Sequence, residues 1–290
     1  MKRNQGLIAF LFIFPYMLIF FMFRLLPSIG SLLISLTDWK IIGAPNFVGL
    51  KNYISLFQDK NFFTALANNF RFLLIVLPVL LFASLFVAIA LNGKLKGRNL
   101  VRTIAIIPYV IIPAVVGVMW NWIYDANFGI LNYLLSQLGV DKVGWLIDKS
   151  YALPAVAVVV IWSYLGYNMI LYLAGLQGIN KELFEASQID GATKWQQFRY
   201  ITWPLLRSTT SLLITLTLIN VMQVYDQVVV MTGGGPRGAT MTLIQYQYIA
   251  GFEKRNMGYS ATVGVAILAI LIVLVGVQKR LFKADEGREG

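Results

Sequence analysis

The sequence predicts an all-α, polytopic membrane protein with six transmembrane helices, on three observations. Of its 290 residues, 58% are hydrophobic and 13% charged, and the mean hydropathy is +0.70, far from the values of a soluble domain. The apolar residues gather into long runs, each near the roughly twenty that a helix needs to cross about 30 Å of hydrocarbon. Lysine and arginine gather in the connections between those runs. The net charge of +11 therefore reads as orientation in a bilayer and not as a nucleic-acid surface. With no cysteine and no histidine, a disulfide framework, a thiolate or imidazole metal site and a histidine general base are excluded. No metal and no cofactor is expected.

The first span runs from Leu7 to Phe23 behind Met1-Lys2-Arg3. No small-x-small cleavage site follows it, so it reads as an uncleaved helix and not as a secretory signal. It sets an N-terminal helical domain over 1–36. Residues 37–69 are mixed, with Asp38, Trp39, Pro45 and Asp59, and read as an external segment with a surface helix. A core of five further spans is expected over 70–278: Phe70 to Leu91, Ile104 to Tyr124, Tyr151 to Leu173, Leu212 to Met231 and Ala261 to Val277. Pro78, Pro108 and Pro113 fall in or at the ends of spans, where neighbouring helices re-satisfy the freed carbonyls. Arg24 and Arg71 read as snorkelling residues at external span ends. A tail over 279–290 closes the chain.

Loop charge gives the orientation. Lys2 and Arg3; Lys94, Lys96, Arg98 and Arg102; Lys181, Lys194, Arg199 and Arg207; and Lys279, Arg280, Lys283 and Arg288 fall on one face. The other face has longer loops in which Asp38, Asp59, Asp125, Asp141, Asp148 and Glu253 offset the basic residues. The densely basic face belongs in the cytoplasm, with both termini.

Between the fourth and fifth spans, within a connection over 177–207, lies a polar island, Glu185 to Pro204, reading EASQIDGATKWQQFRYITWP. Leu183, Phe184, Ala186, Ile189 and Ala192 recur at helical offsets. Gly191 suits a turn, Thr193 suits an N-cap, and Trp195, Phe198 and Ile201 form a second apolar edge. The pattern describes a short helix–turn–helix on the membrane surface, its apolar side down and Glu185, Gln188, Asp190 and Lys194 turned to another protein.

That spelling resembles the cytoplasmic coupling loop of permease subunits of bacterial ATP-binding-cassette importers. The family pattern is matched by Glu185, Ala186, Asp190, Gly191, Ala192, Phe198, Ile201 and Pro204, with Ser187 in place of a second alanine. In that family the loop inserts into a groove on the ATPase. Thr232-Gly-Gly-Gly-Pro236, the following Thr240, Thr242, Tyr246 and Tyr248, and Leu165-Gly166-Tyr167 resemble the larger partner of the maltose-type permease pair. The likeness covers most of the chain from Phe70 onward and fits the shorter six-span sugar importers. It implies a multi-pass protein of the bacterial inner membrane, in contact with membrane lipid. It also implies a sister permease subunit forming a heterodimer, two ATP-binding subunits and an external solute-binding protein delivering a sugar. No nucleic acid and no catalytic residue of the chain's own is implied.

Thr217, Asn220, Gln223 and Gln227 recur at three- and four-residue steps and predict one polar stripe along the fifth span. Trp162, Gly166 and Met169 share a face of the fourth. Amides beside aromatic rings suit a neutral, hydroxyl-rich ligand, and interhelical hydrogen bonding suits Asn220 and Gln223 equally. Asn168 reads as interhelical glue. The family likeness points to Trp162, Leu165, Gly166, Thr217 and Asn220 as sugar contacts. Gly233 to Thr240 has the glycine spacing of a phosphate loop, but Ala239 stands where its lysine would be. Asp226 is the one residue that would serve a proton- or sodium-coupled secondary transporter, the alternative function; that class also predicts intramembrane acid pairs or inverted repeats, which the sequence does not display.

Overall fold

The computed structural model describes residues 5–93 and 96–286; the charges counted above at Lys2, Arg3, Lys94 and Arg288 lie outside them. The described residues are nearly all helical, with only two isolated β-bridges. The helices are α1 (Gln5–Phe20), α2 (Leu26–Ile34), α3 (Lys51–Phe57), α4 (Lys60–Asn92), α5 (Arg98–Val110), α6 (Pro113–Ile123), α7 (Ile130–Gln137) and α8 (Lys149–Gln177). They continue as α9 (Lys181–Ile189), α10 (Lys194–Gln197), α11 (Trp203–Leu205), α12 (Arg207–Met222), α13 (Asp226–Thr232), α14 (Leu243–Tyr248) and α15 (Met257–Glu286). Among the described residues, four helices are long and apolar enough to cross a membrane, Ala9–Ile34, Lys60–Asn92, Lys149–Gln177 and Met257–Phe282. The number reaches six if each of two bent pairs, α5 with α6 and the helices of Lys194–Leu205 with α12, is one span.

Several bounds differ from the sequence expectation, among them the second span, which starts at Lys60 and not at Phe70. The first span does not end at Phe23 but continues through Arg24 and Pro27 to Ile34. Proline removes a backbone donor, and a π turn over Phe21–Leu25 absorbs the loss: the Leu26 N–H reaches back five residues to the Phe21 carbonyl. Arg24 is thus inside a helix and not at its end, and so is Arg71 within α4. The third span is broken, with α5 and α6 meeting at 101°. Ile112 is extended at ψ 129° because Pro113 crowds a preceding residue out of the helical region. The fifth span is not one helix either. α12 stops at Met222 and α13 starts at Asp226, with no proline or glycine at the break; an acid in a helix's first turn is favoured by the dipole.

The chain divides into two compact units, Met1–Phe62 with Tyr246–Ala269, and Phe63–Gln245 with Ile270–Gly290. In the first, the segment after α2 folds back through an antiparallel bridge between Thr37 and Phe47. Asn52 Nδ2 donates to the Ser35 and Thr37 carbonyls at 2.9 and 2.8 Å. Asp59 is the anchor of this unit. One carboxylate oxygen accepts the Asn61 and Phe62 N–H groups at the start of α4, and the other accepts the Tyr246 and Tyr259 hydroxyls. Burial pushes the Asp59 carboxyl up, but these hydrogen bonds outweigh it and hold it below its ordinary value of 3.8. The same bond and burial push the Tyr246 hydroxyl up to about 12.

A carboxyl depressed on folding stabilises above its unfolded pKa and loses that stabilisation as pH falls through its folded pKa. Asp59→Asn is therefore expected to lower stability at pH 7 by about 1 kcal/mol, the scale of a partly exposed hydrogen-bonded charge. It should also flatten the loss of thermal stability that the parent shows below about pH 4. Melting temperatures of the purified protein in detergent between pH 3 and 7 check both.

In the second unit, α8 carries a long buried face, from Ala152 through Val156, Val159 and Val160 to Met169, Tyr172 and Leu176. Its lower end joins Leu85, Ala88 and Leu91 of α4 and Leu206 and Leu213 in one apolar cluster. α12 is tied to the end of α15 by polar contacts. Gln278 donates to Ser211 and accepts from Thr215, and Arg207 donates to the Phe282 carbonyl at 3.0 Å.

Candidate functional site

Two regions hold the residues singled out by sequence. In the polar island, α9 begins with Asn180, whose side chain accepts the Glu182 N–H at 3.1 Å. It ends at Asp190, with Gly191 left-handed at φ +76°. The Ala192 N–H bonds the Ser187 carbonyl at 2.9 Å and the Gly191 N–H bonds the Gln188 carbonyl at 3.1 Å, the pair that defines a Schellman stop. Two residues on, Thr193 and Gln196 form a reciprocal capping box that starts α10. The end of α9 and the start of α10 are thus each ordered by their own capping contacts.

The apolar pattern of the island is split, and not all turned inward. Phe198 packs against the cluster that unites α4, α8 and α12. Phe184, Ala192, Ile201 and Pro204 are half-buried. Leu183, Ala186, Ile189 and Trp195 are exposed, Ile189 at 87% and Trp195 at 70%. Glu185, Gln188, Asp190 and Lys194 are exposed with them. A mixed face of acid, amide and apolar side chains results, on a base seated in the core. Ser187, read from sequence as a small spacer, is half-buried. Its hydroxyl donates to the Phe184 carbonyl at 2.8 Å and accepts Gln197 Nε2 at 2.9 Å. Nothing in the spacing of apolar residues signals that link.

The second region is the middle of the bundle. Trp162, half-buried, meets Trp120 of α6 edge to face at 5.6 Å. Tyr109 of α5 stacks on Tyr167 at 4.5 Å and sits edge-on to Tyr164 at 5.6 Å. Leu165 is half-buried beside them. Gly166 is buried, and a Cβ on it would fall on the Ala105 carbonyl oxygen and within 2.8 Å of the Ile106 nitrogen. Its absent side chain lets α5 lie against α8, which brings Tyr109 onto the tyrosines of α8. Sequence reasoning did not single out Tyr109 or Trp120. For Tyr109 the signal was an aromatic residue beside Pro108 at the bend of the third span, whereas Trp120 lies inside α6 and carried none.

The polar stripe expected on the fifth span is divided by the helix break. Thr217 is buried and Asn220 half-buried on α12, whereas Gln223 is the exposed cap residue of α12. Gln227 belongs to α13, where it lines a cavity of about 30 Å³ with Tyr109, Pro113, Ser163 and Tyr164. Asp226 is exposed at the first position of α13. Asn168 is buried, but its Nδ2 meets no acceptor among the described residues, so the interhelical bond expected of it is not made.

The backbone freed at the break is capped by side chains. Asn69 Nδ2 donates to the Val221 carbonyl at 3.0 Å and its Oδ1 accepts the Leu243 N–H at 2.8 Å. Thr242 donates to the Val224 carbonyl at 2.9 Å, and Asn68 donates to the Gly238 and Met241 carbonyls at 2.8 and 3.0 Å. Buried backbone groups outside a helix require such partners. Asn121 does the same for the Val230 carbonyl at 3.0 Å.

The family model described as "Binding-protein-dependent transport system inner membrane component" matches residues 5–284. The chain is 35% identical to a probable ABC transporter permease of Pyrococcus horikoshii, over the whole of both chains. It is 34% identical to the trehalose/maltose transport permease of Thermococcus litoralis, over 94% of this chain and 92% of that one. Among solved structures it is similar to a chain of a bacterial ABC transporter that imports the acidic polysaccharide alginate. There the TM-score is 0.83 and the identity 25%, over 98% of this chain and 96% of that one.

Proposed function

Because the chain belongs to the family of binding-protein-dependent transport system inner membrane components, we propose that the island from Glu185 to Pro204 is where an ATPase grips it. The chain is a membrane permease subunit of an ATP-binding-cassette importer for sugars, not an enzyme. Ion-driven secondary transport, which Asp226 would have served, finds no support among its relatives.

One observation carries the reading of the island. A helix–turn–helix capped on both sides of its turn offers Glu185, Ala186, Gln188 and Asp190 outward, while Phe198 packs against the cluster shared by α4, α8 and α12. Force applied to the exposed face therefore reaches three core helices through one packed side chain, since a close-packed interior shifts in discrete steps. Two ATP-binding subunits supply that force, a sister permease completes the pathway, and an external binding protein delivers the sugar. Both termini and the island are cytoplasmic. Trp162, Leu165, Thr217, Asn220 and Gln223 face the sugar at some stage of the cycle, with Gly166 setting the spacing of the wall. Rings covering apolar sugar faces and amides bonding hydroxyls supply the affinity.

The absence of cysteine makes the test direct. A cysteine placed at Gln188 is expected to crosslink, with a yield that changes on adding ATP, to a cysteine in the docking groove of the co-expressed ATPase. Gly191→Pro should abolish the crosslink, because proline is held near φ −65° and Gly191 needs φ +76°. Transport that continues with no ATPase present would overturn the reading.

A further inference from the structure

Ser187 occupies the position at which the coupling-loop pattern has its second alanine, a residue without the hydroxyl. In the structure that hydroxyl bridges the two helices on either side of the Gly191 turn. Ser187 Oγ donates to the Phe184 carbonyl within α9 and accepts Gln197 Nε2, from the last residue of α10, at 2.9 Å. The same Gln197 nitrogen lies 3.4 Å from the Phe184 carbonyl. Both side chains are half-buried, where a hydrogen bond is less diluted by water than on an open surface.

The bridge closes a gap that the other contacts leave. The Schellman stop acts on the end of α9 and the capping box on the start of α10, so each orders its own helix. Gly191, the residue between them, has no side chain, sits at φ +76° and has nothing within 4 Å of where a Cβ would be. A turn so built is permissive of changes in the angle between its helices. The Ser187–Gln197 bond joins the two helices across that turn. On the far side of Gln197, the next residue is Phe198, half-buried and packed against the core cluster.

We propose that Ser187 and Gln197 are positioning residues for ATPase coupling: their bond locks α9 and α10 into one rigid lever, so that displacement of the Glu185 face is delivered to Phe198 and not dissipated at Gly191. The proposal rests on the reading of this island as the ATPase-gripping loop. Neither residue need touch the ATPase for the lever to work.

The test uses the assembled transporter, both permeases with the ATPase and the binding protein, in proteoliposomes. Ser187→Ala, Gln197→Ala and the double variant are compared for three quantities: ATPase retained on purification, ATP hydrolysed, and sugar transported. Each single variant is expected to retain the ATPase and its hydrolysis while sugar moved per ATP falls about threefold, the scale of one net hydrogen bond. The double variant should fall no further than Gln197→Ala alone, which already removes the Ser187 bond together with the longer approach to the Phe184 carbonyl. A structural defect alone would lower assembly and both rates together and leave their ratio unchanged. An unchanged ratio, or additive losses in the double variant, would overturn the lever while leaving the ATPase-gripping loop intact. Failure of the parent chain to retain any ATPase would overturn the loop reading and the lever with it.

Discussion

Gly166→Ala is expected to be strongly damaging for a single added methyl group. Its Cβ would coincide with the Ala105 carbonyl oxygen and crowd the Ile106 nitrogen, and both are backbone atoms of α5 that cannot rotate away. The helices must part, which undoes the stacking of Tyr109 on Tyr167 at 4.5 Å. Overpacking on this scale costs about 3 kcal/mol, and in a bilayer no hydrophobic force between helices offsets it, because close packing is itself what holds them together. The expected result is a loss of assembled, folded protein on purification in detergent, and a transport defect in whatever survives. Gly276→Ala on α15 is the control. Nothing lies within 4 Å of its Cβ position, and alanine is a better helix former by up to about 1 kcal/mol, so thermal stability should hold or rise. Equal loss in the two variants would remove close approach as the reason for Gly166.

The contrast between those glycines was not available from the sequence, where both lie in apolar runs. What was legible is what local residue chemistry dictates. The helical class and the long spans follow from composition and run length. The Gly191 turn and the Thr193 cap follow from residues that suit few other conformations. The bounds of spans were less legible, for separate physical reasons. Arg24 reads as an end, yet a charged side chain on a long stem can stay within a helix and reach outward. Asn68 and Asn69 read as the polar end of an external segment, yet both are buried in α4 with their amides spent on distant backbone. The third span reads as continuous, yet Pro113 carried the mark of its bend, since it forces Ile112 out of the helical region. The interruption at Gln223–Tyr225 is signalled only by Asp226, an acid suited to a first turn. Sites assembled from side-chain contacts between separate elements, such as the tyrosine stack and the Ser187–Gln197 bond, carry no periodic mark at all.

Asn69 is the clearest case of function built from such a contact, and Asn69→Ala should destabilise by about 3 kcal/mol. The side chain is wholly buried, and its loss strips the Leu243 N–H of its partner and leaves the Val221 carbonyl with only the 3.4 Å approach of the Val224 N–H. Orphaned buried backbone groups cost about 1–3 kcal/mol each, more than a neutral side-chain hydrogen bond contributes on the surface. Asn61→Ala, at an exposed position of the same helix whose backbone N–H still reaches Asp59, should stay within about 0.5 kcal/mol of the parent. Thermal unfolding of the two purified variants in detergent separates them. The consequence extends to transport. Asn69 holds the end of α12 and the start of α14 to one point on α4, so the break between α12 and α13 keeps its shape while Thr217 and Asn220 on one side and Gln227 on the other are presented to the bundle interior. With that tie gone, sugar uptake should fall further than the amount of folded protein does, whereas uptake that merely tracks folded protein would show the break to be structural and unconnected to the pathway.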